Sequence, residues 1–286
     1  ILVTGVQTCA LPISYWFVGR EIIKIYVKES LMSKRYIKRI LLTSAIAILG
    51  VSTSFAAFTF DKQEQVDTAP IVGLYRFQVP NELQGAYNTA GVQNLTASMA
   101  NEPNTLSMNV AHVKGNPSES YVVEVYKDTA ALETHRKSEH FQNYINEVGS
   151  KLTNRKLYDV QPLLLIEKPN ALSLINDGQS VVTLTDFTVD GNEVDTVQKQ
   201  YQLDIERAVR DDAGYKAGYV LRERNNKTHW YVIQIYSDES AFNKHVNSPG
   251  YRFMMSQIQG SLQNVTTKVL DGDILVNHGG QDFVRP

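Results

Sequence analysis

Residues 121–135 return 110 positions later as residues 231–245, and the register holds without a gap over most of the chain. Seven of the 21 columns from 121 to 141 are identical: Tyr121/Tyr231, Val122/Val232, Tyr126/Tyr236, Asp128/Asp238, Ala131/Ala241, His135/His245 and Ser138/Ser248. Exchanges such as Val125/Ile235, Leu132/Phe242 and Phe141/Tyr251 keep the character of the column. The same offset pairs Leu74 with Leu184, Phe77 with Phe187, Val79 with Val189 and Val110 with Val220. A unit of about 100 residues carried twice must fold as two like halves. Any apolar face that one half leaves open then finds a matching face in the other.

Each copy reads β-α-β-β-α-β. Ile71–Val79 and Val181–Val189 are apolar-rich and end at the turn formers Pro80-Asn81 and Asp190-Gly191, which predicts strands. Helices are predicted over 84–101 and 193–211. The second is the clearer, with Val194, Val197, Tyr201, Ile205 and Val209 at helical spacing among charges. A hairpin of Leu106–Val113 and Tyr121–Tyr126 is predicted around Lys114–Pro117. Its counterpart joins Tyr215–Arg224 to His229–Tyr236 through Asn225-Asn226. Asp128 and Asp238 stand where the next helices need N-caps. Leu157–Ile166 and Val265–Leu275 are the expected last strands.

This order is that of a ferredoxin-like α+β unit. Such a sheet carries helices on one face and leaves the other open, and an open apolar face must be covered. Two units in one chain cover each other, so an intramolecular α+β barrel is expected, of the kind that two subunits otherwise form. The expected domains are 70–168 and 180–276. Between them lies a linker, 169–179, and after them a polar tail, 277–286, expected to fray.

The remaining N-terminal residues read differently. Residues 3–13 resemble the translation of a sequencing adapter and are set aside with the upstream stretch to residue 31. The only cysteine, Cys9, lies there, so the rest of the chain has neither an intramolecular disulfide nor a cysteine metal cluster. Lys28-Glu29 can be encoded by a ribosome-binding sequence, which points to Met32 as the start. From Met32 the chain has a basic segment (Lys34, Arg35, Lys38, Arg39), the 12 apolar-rich residues Ile40–Val51, and small residues to Ala56. This is the pattern of a signal peptide spanning 32–56, and it predicts export, to a periplasm. Removing residues 1–56 takes the formal charge from −2 to −7, leaving residues 57–69 as an N-terminal segment. An acidic chain of this kind gives no support to nucleic acid or an anionic membrane as partner.

The stretch Tyr126-x-Asp-x-x-Ala-Leu-x-x-His-x-x-Ser-x-His-Phe141 resembles the antibiotic biosynthesis monooxygenase (ABM) superfamily of dimeric α+β barrels. Asn101-Glu102-Pro103-Asn104 is similar to that family's turn before its second strand, and residues 236–251 repeat the motif. The resemblance implies a pocket between sheet and helices in each half. It also implies, for members that are enzymes, oxidation of quinols or polyketide phenols by O2 without flavin or metal; other members degrade haem. Haem degradation fits poorly here. The first strands, Leu74–Val79 and Leu184–Val189, lack the asparagine of that branch, and Tyr126 and Tyr236 stand where it has tryptophan.

His135 and His245 are the candidate catalytic residues, because histidine titrates near neutrality and both follow apolar residues on a helix. Tyr126, Tyr236 and His140 are candidate substrate-binding residues. Gly250 replaces His140 in the second copy, which favours at most one working pocket. On a continuous helix His135 and His140 would lie about 140° apart. They converge on a metal only if the helix breaks at Ser138, so no metal and no other cofactor is expected. Trp230 should face away from Tyr231 and pack. No nucleophilic triad or phosphate-binding glycine loop is present in the sequence.

Two functions fit these observations. One is a cofactor-independent monooxygenase acting on a quinol or related aromatic with O2. The other is a non-catalytic exported small-molecule-binding or stress-related protein. An intramolecular pseudo-dimer is expected in either case, with further homo-oligomerisation possible. The exported protein is expected to begin within two residues of Ala57; intact mass of exported material tests this, and retention of residues 1–31 would refute it.

Overall fold

A computed structural model describes residues 69–286; the adapter-like segment, Met32 and the signal peptide lie outside the described residues. The first half runs β1 (Ile71–Gln78), α1 (Gln84–Asn101), β2 (Thr105–Val113), β3 (Asn116–Tyr126), α2 (Thr129–Lys137), α3 (Glu139–Glu147), β4 (Thr153–Tyr158) and β5 (Val160–Glu167). After β6 (Leu172–Ile175), the second half runs β7 (Val181–Val189), α4 (Val194–Asp211), β8 (Tyr215–Glu223), β9 (His229–Tyr236), α5 (Glu239–Val246), α6 (Pro249–Ile258) and β10 (Leu262–Asn277), followed by β11 (Asp282–Val284). The expected β-α-β-β-α-β order is present twice, as ferredoxin-like α+β halves.

The halves are joined by their last strands. β10 starts against β7 of its own half and ends against β2 of the other, and all the pairing is antiparallel. The first half divides the same task between β4, paired with β1, and β5, paired with β8. The strand order is β11-β5-β8-β9-β7-β10-β2-β3-β1-β4. Only Asp159 separates β4, at one end of that order, from β5, the strand next to the other end, so one chain path links the two sides and the sheet closes as a barrel. Its interior mixes both halves: Val72, Leu74, Val123 and Val125 pack with Leu184, Tyr219, Ile233 and Ile235. The open faces cover each other, as the repeat requires.

The crossing strands carry matched irregularities. Asn154 and Asn264, 110 apart, have φ of 44° and 54°, beside register shifts in both halves. Asparagine tolerates this left-handed backbone better than most residues. A second shift falls at Pro162 in β5 and at Gly272 in β10. Such bulges bend a strand locally, and here they fall on either side of the crossing: the first within pairing to the strand's own half, the second within pairing to the other.

Two expectations about irregular chain are corrected. The segment read as a linker holds β6, which pairs with β10, and the Asn277 side chain accepts a hydrogen bond from the Leu172 amide at 2.9 Å. The tail read as fraying is pinned by β11 on β5 and by Arg285, whose Nε donates to the Pro162 carbonyl at 2.7 Å. Both segments cover strand edges, and polar composition alone could not reveal those partners.

One polar chain lies inside the barrel wall. Asn109 Nδ2 donates to Ser107 Oγ at 2.9 Å, Ser107 Oγ lies 3.0 Å from the Tyr219 hydroxyl, and that hydroxyl donates to Glu167 Oε1 at 2.5 Å. Burial pushes the Glu167 carboxyl from its ordinary 4.5 up to about 7.

Two predictions follow from this architecture. Isolated halves, 57–172 and 173–286, lose the strands that cross between them and should aggregate or dimerise. A stable monomeric half by light scattering would count against the shared barrel. For Glu167, between pH 4.5 and 7 the folded chain holds a proton that the unfolded chain has released, so stability falls as pH rises through that window. Glu167→Gln keeps an acceptor for Tyr219 and cannot titrate. Its stability relative to the native chain should rise by up to about 3 kcal/mol across the window and then level off. Denaturant melts at stepped pH check this, and a pH-independent difference contradicts it.

Candidate functional site

The second helix of each repeat breaks in two, and the break builds the site. Ser138 and Ser248 are extended, with φ/ψ of −65°/148° and −65°/149°. Each caps the next helix: Ser138 Oγ accepts from the Phe141 amide at 3.3 Å and Ser248 Oγ from the Tyr251 amide at 3.1 Å. The condition that sequence spacing set for bringing His135 and His140 together is therefore met. Asp128 and Asp238 cap α2 and α5 as expected, accepting from the Ala131 and Ala241 amides at 2.8 and 2.7 Å.

In half one the two histidines meet Glu102, the residue that ends α1. Glu102 Oε2 accepts from His135 Nδ1 at 3.1 Å and from Thr105 Oγ1 at 2.6 Å, and Oε1 accepts from His140 Nε2 at 2.7 Å. Ser98 Oγ lies 3.3 Å from His135 Nδ1. One ligating atom from each of Glu102, His135 and His140 lies within 4.8 Å of the other two. His135 and Glu102 are buried, whereas 18% of the His140 side chain is exposed. The His135 ring sits 4.7 Å from Phe141 and 5.6 Å from Tyr126, and its Nε2 is buried without a hydrogen-bond partner.

Half two fills the same space differently. His245 is also buried, with Nε2 3.4 Å from Asp204 and Nδ1 3.5 Å from Asp212, the counterpart of Glu102. Arg207 reaches Asp204 at 2.9 Å, Asp212 at 3.4 Å and Ser248 Oγ at 3.3 Å. Burial would raise the Asp204 carboxyl, but hydrogen bonds from His245 and Arg207 hold it below its ordinary value. A Cβ on Gly250 would collide with the Arg207 guanidinium, so that cation occupies the place of the missing histidine.

The seam between helices and sheet differs in the same way. In half two it is closed by Phe187, Tyr201, Tyr215, Trp230 and Tyr236, all buried. Trp230 packs there while Tyr231 faces the barrel interior, as the alternation predicts. The Tyr236 hydroxyl finds no hydrogen-bond partner, leaving it nothing to offer a ligand but a sealed position.

In half one, Tyr75, Phe77, Phe141 and Tyr144 remain partly accessible. Gly73 makes this possible, because a Cβ there would strike the Tyr75 ring. Opposite Gly73 on β3 stands Glu124, partly accessible and accepting from the Tyr126 hydroxyl at 3.0 Å. Burial raises the Glu124 carboxyl above its ordinary value, while the nearby His135 pulls it down. Burial, followed by the charge of Glu124, also raises Tyr126, and burial likewise raises Tyr144.

Of the five residues singled out from sequence, His135, His140 and Tyr126 gather in half one, and His245 and Tyr236 gather in half two. Sequence reasoning missed Glu102 and Glu124. Glu102 was read only as part of a turn. The signal for Glu124 was its place two residues before Tyr126, on the helix-facing side of a strand, where the second copy has the uncharged Gln234.

The family model for antibiotic biosynthesis monooxygenase matches the chain twice, over residues 70–147 and 180–256. Two solved structures, each described as a putative monooxygenase, share the fold across both halves. One, from Lactobacillus acidophilus NCFM, is 19% identical with a TM-score of 0.69, covering 75% of this chain and 99% of its own. The other, from Fusobacterium nucleatum, is 20% identical with a TM-score of 0.65, covering 77% of this chain and 100% of its own. No curated protein matches the sequence.

Proposed function

Since the chain belongs to the antibiotic biosynthesis monooxygenase family, we propose that it is an oxygenase working in the helix–sheet seam of half one, on a quinol or related hydroxylated aromatic. The observation that carries this reading is Glu124: a carboxylate held among Tyr75, Tyr126 and Tyr144, partly accessible, and made more basic by burial. Tyr126 occupies one of its oxygens and fixes its orientation, leaving the other to take a proton from a substrate hydroxyl. The stacked pair Tyr75 and Phe77, with centroids 5.9 Å apart, offers an aromatic wall.

Proton removal makes the quinol a better reductant. It then reduces O2, a ring carbon gains one oxygen atom, and the other oxygen leaves as water. A quinol and O2 thus give a hydroxyquinone and water, with all four electrons drawn from the substrate. His135 supports Glu124 from behind as a positioning group, since its ring is enclosed by Phe141 and Tyr126. His140 borders the accessible side. The sealed half two, with His245 and Tyr236, serves as scaffold. The leader-like residues 32–56 favour placing this reaction outside the cytoplasm.

Oxygen consumption with a panel of quinols tests the proposal. Glu124→Gln should lower turnover by roughly 100-fold or more, the range set by loss of a general base. His135→Asn should cost turnover, whereas Gln234→Leu and His245→Asn should leave it near the native value. No oxygen uptake with any quinol, or equal losses from the matched changes in both halves, would overturn it.

A further inference from the structure

Each half sets a histidine against the acid at the end of its first helix, with different cations beside it, and half two adds a second carboxylate, Asp204, where half one has Asn94. In half two the cation is built in: Arg207 bridges Asp204 and Asp212 beside His245. In half one the matched positions are Ala97 for Arg207 and His140 for Gly250. Among the described residues, the groups paired with Glu102 that can carry positive charge are His135 and His140 alone. The guanidinium has thus been replaced by a second imidazole, which is a metal ligand when neutral.

We propose that half one binds one divalent cation of the zinc type through Glu102, His135 Nδ1 and His140 Nε2. The three atoms come from the residue that caps the end of α1, from α2 and from α3, and lie within 4.8 Å of one another. Two histidines and a carboxylate suit a borderline cation, with ligand distances of about 2.0–2.2 Å and a position left for water. The hydrogen bonds now joining these atoms, 3.1 Å and 2.7 Å, need only small side-chain rotations to give way to ligation. Thr105 Oγ1, 2.6 Å from Glu102 Oε2, orients the carboxylate as an outer partner. The partly exposed edge of His140 provides an entry path, while the remaining ligands are held in dry surroundings. Bound there, the cation would fix the α2–α3 joint at Ser138, as Arg207 fixes the α5–α6 joint through Ser248 at 3.3 Å. This proposal does not rest on the oxygenase reading, and its test involves no turnover.

The test is calorimetric titration of ZnCl2 into tag-free, chelator-treated full-length protein, with Co2+ as a visible-absorption probe of the same site. One Zn2+ per chain is expected, with a positive shift in melting temperature. Glu102→Gln and His140→Ala should each weaken binding at least tenfold, in line with loss of a direct ligand. The double change Ala97→Arg with His140→Gly brings the arginine and glycine of half two into half one, with Asn94 kept at the place of Asp204; it should abolish binding and keep the chain folded without metal. His112→Ala is the control, because His112 lies between Asp271 and Asp273 at the barrel mouth and offers a rival site. Absence of Zn2+ binding overturns the proposal. So does binding that survives both His140→Ala and the double change, or that disappears in His112→Ala.

Discussion

Covering the second face of each sheet is the constraint on which everything else depends. A four-stranded unit with helices on one side leaves an apolar surface that a lone half cannot hide. Here β5 and β10 leave their own sheets and finish in the other, so the covering contact is made by backbone hydrogen bonds as well as by side chains. The matched bulges at Asn154 and Asn264 are part of that solution. Each bulge bends its strand while it still pairs with its first neighbour, β1 for Asn154 and β7 for Asn264. The barrel interior then belongs to neither half, which is why Leu74 and Ile233 share one cluster.

Duplication with a fixed frame also lets the helix-covered faces diverge. Half two uses its seam for packing: Trp230 has no exposure, and its Nε1 is satisfied by the Lys227 carbonyl at 2.8 Å. Half one spends the equivalent space on Glu124, Glu102 and two histidines, groups that cost stability when buried without full partners. The asymmetry expected from His140 against Gly250 therefore extends well beyond that one column, through Gly73/Thr183, Tyr75/Thr185 and Glu124/Gln234.

The repeat made most of the architecture legible before any coordinates. Helix limits follow the sequence closely, α4 spanning Val194–Asp211 as the spacing of Val194, Val197, Tyr201, Ile205 and Val209 indicates, whereas the strand expected over Leu157–Ile166 divides at Asp159 and β3 begins earlier, at Asn116. What escaped were features set by long-range contact. β6 and β11 have little pattern of their own, being short edge strands whose partners lie about 100 residues away in sequence. Glu102 escaped because a carboxylate at a helix end looks like an ordinary turn residue until Ser138 breaks the next helix and swings His140 towards it. The capping serine and the condition it sets for His140 are both visible in the sequence; that Glu102 meets the two histidines there is not. Both lessons concern geometry that no window of local sequence encodes.

The cation exchange between the halves is constrained more tightly than a pair of independent substitutions would be. A histidine in place of Gly250 would drive its Cβ into the Arg207 side chain, which would have to leave its present position. Removing the arginine alone would strand Asp204 and Asp212 with only His245 for counter-charge, and a buried carboxylate without a partner is costly. Asn94, Ala97 and His140 in half one thus stand against Asp204, Arg207 and Gly250 in half two as two fillings of one site. Each half sets positive charge beside the acid at the end of its first helix, the buried Glu102 or the partly exposed Asp212. One state supplies that charge covalently; the other has the donor set to recruit it from solution, and only that second state can make occupancy depend on what the surroundings contain.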